Sequence, residues 1–122
     1  MSTNTDLIKE FIACWSKLDA SQLAGYFTDD GCYHNMPARP VKGRDNVEQF
    51  IKGFLSNWTE TTWDIISIAE NDGTVFCERL DRTRTKAGNV DLPCVGVFEM
   101  EGGKIKVWRD YFDMNTFVKA MS

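Results

Sequence analysis

Two periodicities meet in this chain, and their order along it constrains the fold more than any other feature. Up to Leu55 the apolar residues recur mainly at helical spacing. From Thr61 onward the pattern becomes a run of strand-like segments separated by turn signals. Leu7, Ile8, Phe11, Ile12, Trp15 and Leu18 form a one-sided stripe, with Thr5 or Asp6 as the expected cap. Asp19-Ala20-Ser21-Gln22 has the spacing of a capping box and predicts a short second helix ending near Phe27. Thr28-Asp29-Asp30-Gly31 predicts a turn, and Cys32 to Met36 a short strand stopped by Pro37 and Pro40. A third helix is expected to carry Val47, Phe50, Ile51, Phe54 and Leu55 on one side, capped by Asp45.

The strands then follow one another: Thr61–Ala69, Thr74–Thr85, Val90–Met100 and Lys104–Phe112. Asn71-Asp72-Gly73, Lys86-Ala87-Gly88-Asn89 and Gly102-Gly103 turn the chain back between them. Met114 to Met121 is expected to close the chain as a helix capped by Asp113. Helices followed by hairpin-linked strands predict an α+β fold, with helices on one side of a curved mixed or antiparallel sheet. Such a sheet with helices across its mouth encloses a conical apolar pocket, a shape that suits small ligands. At 122 residues the chain is expected to form a single domain over residues 1–122. A chain of this size buries about two thirds of the surface its unfolded form exposes, enough for one core without disulfides or metal.

Composition narrows the chemistry. Lys and Arg number 14 against 18 Asp and Glu, a net charge of −4. That balance argues against nucleic-acid partners and against a polybasic membrane contact. No stretch approaches 18 apolar residues, so no membrane span is expected. Met1 to Asp6 is polar, without the apolar segment of a secretion signal. The four cysteines contain no C-x-x-C pair, and they read as reduced, mostly buried thiols of a cytoplasmic protein.

There is one histidine, His34. A zinc site built on two or three imidazoles is therefore impossible within one chain, and no metal or other cofactor is expected. No G-x-S-x-G elbow occurs, and the length is too short for a TIM barrel. Proton chemistry then falls to carboxylates.

Strand alternation groups the candidates. Val75, Cys77, Arg79, Asp81 and Thr83 share one face of their strand, and Phe76, Glu78, Leu80 and Arg82 the other. Arg79 and Asp81 on one face are compatible with a solvated ion pair or with a buried site. Asp110 shares its face with Trp108 and Phe112, so burial there would demand a charge partner, and Arg79 is the obvious one. Tyr33 and Asn35 share a face, offering a hydroxyl and an amide that could fix a water. By the same alternation His34 points away from them.

Four motifs now stand in order: Tyr33-His34-Asn35-Met36-Pro37, Glu78-Arg79-Leu80-Asp81, Gly96-Val97-Phe98 and Trp108-Arg109-Asp110-Tyr111-Phe112-Asp113. Together they resemble the limonene-1,2-epoxide hydrolase family, within the nuclear transport factor 2-like superfamily. The resemblance covers nearly the whole chain. It implies a cystatin-like cone and a bacterial, homodimeric, cofactor-independent epoxide hydrolase whose partners are a small hydrophobic epoxide and water. It also implies an Asp-Arg-Asp set on Asp81, Arg79 and Asp110, with a water held by Tyr33 and Asn35. Ala38-Arg39-Pro40 departs from the family's pattern and places an extra Arg near the expected pocket rim.

The implied chemistry is self-consistent. Epoxide opening needs a nucleophile at carbon and a proton at oxygen, and ring strain removes the need for a covalent intermediate. One carboxyl can accept a proton from water while the other donates to the leaving oxygen. Two carboxyls in an apolar pocket tend to share one proton. By the resemblance Asp110 is the base and Asp81 the acid; alternation does not orient the pair. The substrate-binding wall is expected to include Ile12, Trp15, Phe54, Trp58, Leu92, Cys94, Trp108, Phe112 and Phe117. A ketosteroid isomerase or polyketide cyclase-like enzyme, or a ligand-binding module, is the alternative on the same fold. The former would want an oxyanion hole rather than an Arg-bridged pair.

Overall fold

The structure is a computed structural model and describes residues 3–121. Helix α1 (Asn4–Cys14) runs into a 3-10 turn (Trp15–Lys17) and a short α2 (Ala20–Ala24). Strand β1 (Phe27–Asn35) and the two-residue β2 (Val41–Lys42) precede α3 (Arg44–Leu55). Four strands follow, β3 (Trp58–Asn71), β4 (Thr74–Thr85), β5 (Asn89–Glu101) and β6 (Lys104–Phe112), and α4 (Met114–Met121) ends the chain. They form one curled, unclosed sheet in the order β2-β1-β6-β5-β4-β3. Every pairing is antiparallel except β1 with β6, which is parallel, so the sheet is mixed. The parallel pair is what returns the N-terminal third of the chain to the middle of the sheet.

The β3–β6 meander and α4 match the sequence reading closely; the N-terminal half differs in detail. The cap of α1 is Thr3, whose hydroxyl accepts from the Asp6 amide at 3.1 Å, while Asp6 accepts from the Thr3 amide at 3.5 Å. Asp6 thus serves as the third residue of a capping box rather than as the cap. The stripe stops before Leu18, which adopts a left-handed conformation at φ 54°. Helix α2 is shorter than expected, and Phe27 opens β1 instead of closing a helix.

Thr28-Asp29-Asp30-Gly31 is not a separate turn. It is a bulge within β1, where the register against β6 slips between Phe27 and Cys32. A Cβ at Gly31 would lie 3.0 Å from Phe27 Cβ and from the Thr28 carbonyl oxygen, so a side chain there would crowd the bulge. Helix α3 begins at Arg44 behind Gly43 at φ 92°, and Asp45 sits in its first turn without capping it.

The core lies between the concave sheet face and the helices. Ile8, Phe11, Ile12 and Trp15 from the first helical segment meet Leu23, Val47 and Ile51 from α2 and α3. Phe11 sits edge-on to Phe27, Phe98 and Trp108, with centroids 5.9, 6.1 and 5.1 Å away. Among the described residues no helix is long and apolar enough to cross a membrane. Cys14, Cys32, Cys77 and Cys94 are free thiols.

Helix α4 buries no residue completely, so its start depends on its cap. Asp113 accepts from the Asn115 amide at 3.2 Å and from the Thr116 hydroxyl at 3.0 Å. Asp113→Ala is expected to cost about 1 kcal/mol. It should speed amide hydrogen exchange in α4 while leaving exchange in β3–β6 unchanged.

Candidate active site

Alternation places the charged residues as the sequence predicts. Val75, Cys77, Arg79, Asp81 and Thr83 are all buried on the inner face of β4, whereas Phe76, Glu78 and Arg82 are exposed. Arg79 donates from Nε to Asp81 Oδ1 at 2.9 Å and from Nη2 to Asp81 Oδ2 at 3.0 Å. It also donates from Nη1 to Asp110 Oδ1 at 2.9 Å and from Nη2 to Asp110 Oδ2 at 2.5 Å. One guanidinium thus grips two carboxylates through both oxygens of each. Arg79 is 0% exposed, Asp81 6% and Asp110 4%.

Arg79 stands on β4 and Asp110 on β6, so their bonds must cross β5. Gly96 makes the crossing possible. It pairs with Cys77 on one side and Asp110 on the other. A Cβ there would lie 2.7 Å from Arg79 Nη1, 2.8 Å from Phe98 Cε1 and 3.0 Å from Asp110 Oδ1. The third sequence motif therefore contributes a missing side chain.

Aromatic rings hold the ion cluster. The Arg79 Cζ is 4.5 Å from the Trp63 ring centroid and 5.6 Å from that of Trp108. Trp63 stacks on Trp15 at 4.2 Å, and its indole N–H donates to the Thr61 hydroxyl at 2.9 Å. That hydroxyl in turn bonds Thr83 at 2.7 Å. Trp108 lies between Tyr33 (4.1 Å) and Phe98 (5.3 Å), and its indole N–H donates to Asp110 Oδ1 at 2.7 Å. The parallel β1–β6 register sets Tyr33 opposite Trp108 and Asn35 opposite Asp110, and both Tyr33 and Asn35 are buried. His34 faces the other way, its Nε2 3.0 Å from the Ala38 carbonyl oxygen.

Burial dominates the local proton affinities. It raises the Asp81 carboxyl from 3.8 to about 6, against the pull of Arg79 and with a further push from Asp110. Burial also lifts the Tyr33 phenol well above its usual value, with Asp110 adding to it. Desolvation works against the Arg79 charge, but Asp110 and Asp81 outweigh it and hold the guanidinium firmly protonated. The Cys94 thiol is raised by burial and stays protonated, which lets it donate to Asp81 Oδ2 at 3.3 Å. Asp81, Cys94 and Asp110 bring three metal-type donors within 4.8 Å. Every carboxylate oxygen among them already accepts from Arg79, so an internal cation occupies the place a metal ion would take.

The carboxylates open on a cavity of about 160 Å³. Tyr33, Asn35, Asp81 and Asp110 sit together in its wall. Phe54, Trp58, Leu92, Phe112 and Phe117 line it as the sequence suggested. Ile12, Trp15, Cys94 and Trp108, expected there too, do not. Trp15 is screened by Trp63 stacked over it, and Trp108 by Tyr33. Ile12 packs in the core, and Cys94 sits behind Asp81. Sequence reasoning missed Phe50, Trp63 and Met114. Phe50 and Met114 stand one helical turn before Phe54 and Phe117, a spacing that would have exposed them. Trp63 reaches the wall through its pairing opposite Asp81, which no local spacing shows. Ala38 reaches the cavity, but Arg39 is exposed and does not line it.

The model of the limonene-1,2-epoxide hydrolase catalytic domain matches residues 2–122. The chain belongs to this family. Epoxide hydrolase EphG of Mycobacterium tuberculosis is 24% identical over 114 residues, spanning 93% of this chain and 76% of that protein. The solved structure of a limonene-epoxide-hydrolase-like epoxide hydrolase from M. tuberculosis superposes with a TM-score of 0.84 at 23% identity, covering 97% of this chain and 88% of that one. A Catenulispora acidiphila protein with a ketosteroid isomerase-like fold, crystallised with trimethylamine, reaches a TM-score of 0.88 at 16% identity, covering 98% and 94%. The fold is thus shared beyond the hydrolase family, and these likenesses in shape speak to fold alone.

Two glycines separate the effects of space and of site. Gly53, in α3, has nothing within 4 Å of an added Cβ. Gly53→Ala is expected to stabilise by about 0.5–1 kcal/mol. Gly96→Ala is expected to destabilise by about 1–3 kcal/mol and to part Arg79 from Asp110. Urea denaturation of both variants measures the contrast.

Proposed function

We propose that the protein is a cofactor-independent epoxide hydrolase that adds water to a small hydrophobic epoxide in one step, giving a vicinal diol. The observation that carries this reading is the single guanidinium bridging two buried carboxyls in the wall of an otherwise apolar cavity. Family membership and the epoxide hydrolase relative support the same activity.

Asp110, Tyr33 and Asn35 hold a water against the epoxide, and Asp110 takes its proton as the oxygen attacks carbon. The C–O bond breaks, and Asp81 gives its proton to the departing oxygen. Arg79 holds both carboxyls in place and balances whichever is ionised. The proton then returns from Asp110 to Asp81 through water or along the shared guanidinium. Burial of Asp81 supports the acid role, because its raised value keeps a proton available near neutral pH. An enolising isomerase is less well served: the one strong cation here is already saturated by carboxylates and leaves little to stabilise an oxyanion.

Exposed Phe76, Val95 and Tyr111 on the outer sheet face support pairing into a homodimer, and the four free thiols support a cytoplasmic setting.

Single-turnover hydrolysis of cyclic epoxides in oxygen-18 water tests the chemistry. Label is expected in the diol on the first turnover; unlabelled diol means that an ester intermediate formed, and the one-step reading fails. Asp110→Asn and Asp81→Asn should each lower kcat by at least about 10²-fold, the usual contribution of a proton-transfer group. Arg79→Ala should also cost about 3–5 kcal/mol of stability, since it leaves two carboxyls buried without their counter-charge. As an acid with a value of about 6, Asp81 must be protonated to act. kcat/KM should therefore fall as pH rises through that region, and a rise there would remove Asp81 from the acid role.

A further inference from the structure

Asp81 carries an asymmetry that the guanidinium does not account for. Its Oδ1 accepts from Arg79 Nε alone. Its Oδ2 accepts from Arg79 Nη2 and also from the Cys94 thiol at 3.3 Å. Cys94 stands on β5 directly opposite Arg79, 5% exposed as a residue, behind the cavity wall rather than in it. It therefore touches the acid without touching the space where substrate would sit. The thiol's other acceptor, the Leu92 carbonyl oxygen, is more distant at 3.8 Å.

We propose that Cys94 is a positioning residue for Asp81: its thiol loads Oδ2, steers the transferable proton to Oδ1 and sets how tightly Asp81 holds it. A carboxyl proton resides on the oxygen with fewer donors, because each N–H or S–H facing an oxygen opposes a proton there. The same donor stabilises the ionised carboxylate, so it offsets part of the upward push of burial. A thiol suits this place because burial keeps it protonated, and it fills space between strands as a small apolar group would. The other groups facing Asp81 are Arg79 from its own strand, Asp110 from β6 and Tyr33 from β1. Strand β3 presents the uncharged Trp63, and α3 and α4 present only apolar side chains to the cavity. Among the described residues Cys94 is thus the one neutral group that donates a hydrogen bond to Asp81. The link to catalysis rests on the hydrolase reading above.

The test compares Cys94→Val with Cys94→Thr, two side chains of one shape that differ by a hydroxyl donor. The readout is the carbon-13 titration of the Asp81 carboxyl, assigned with Asp81→Asn, which needs no activity. Cys94→Val should raise the Asp81 midpoint by about 0.5–1 pH unit, the expected weight of one ordinary hydrogen bond from a weak thiol donor, and Cys94→Thr should restore it. Should the branched pair not fold, Cys94→Ala and Cys94→Ser give the same contrast. Equal midpoints in the donor and non-donor variants overturn the proposal. The alkaline limb of kcat/KM, measured in parallel, should move with the carboxyl midpoint. If the midpoint moves and the limb does not, Asp81 is not the acid, and if wild-type protein opens no epoxide the hydrolase reading fails; in both cases the coupling of Cys94 to Asp81 stands.

Discussion

A guanidinium with no exposed surface must find its counter-charges inside the protein, and Arg79 finds them in Asp81 and Asp110. Burying an unpaired charge costs several kcal/mol, and losing one partner of a buried pair costs about 3–5 kcal/mol. Both carboxylates ionised would leave a net charge of −1 in the core, and a single shared proton removes it. The arrangement that meets the electrostatic need of the fold is also the one the proposed acid/base chemistry would use.

Three strands cooperate to satisfy Arg79, and the connections between them explain several residues of no obvious purpose. β5 separates Arg79 from Asp110, so it must surrender a side chain at Gly96. The parallel pairing of β1 with β6 brings Asn35 opposite Asp110, although they are far apart along the chain. The bulge around Gly31 resets the β1 register so that Tyr33 falls on Trp108. These are backbone solutions to a side-chain problem.

The aromatic side chains then cover the guanidinium. Trp63 and Trp108 flank the guanidinium, and Trp15, Tyr33 and Phe98 back them in turn. Hydrogen bonds in such a dry setting are stronger than in water, and an unmade one is costlier. Tyr33, stacked on Trp108, brings its face to the core and its side chain to the cavity. Core packing and pocket wall are separated by one ring thickness here. That is why nine residues expected at the wall divide into five that line it and four that do not.

Local pattern was sufficient for a good deal. Period-2 alternation put Arg79 and Asp81 on one face, and set Asp110 beside Trp108 and Phe112, because strand geometry alternates side chains whatever the partner. Turn chemistry at Asn71-Asp72-Gly73 and Gly102-Gly103 set the meander, and Asp113 announced the last helix. What needed the tertiary structure was every relation across strands. Neither the order of strands in the sheet nor the parallel β1–β6 pair is written in any local window. The role of Gly96 exists only where two other strands meet above it. Whether Trp15 or Trp63 faces the cavity is decided by which ring lies over the other. A sequence by itself determines which side chains share a face; only packing determines which of those faces meet, because the free energy of burial depends on neighbours that local periodicity does not name.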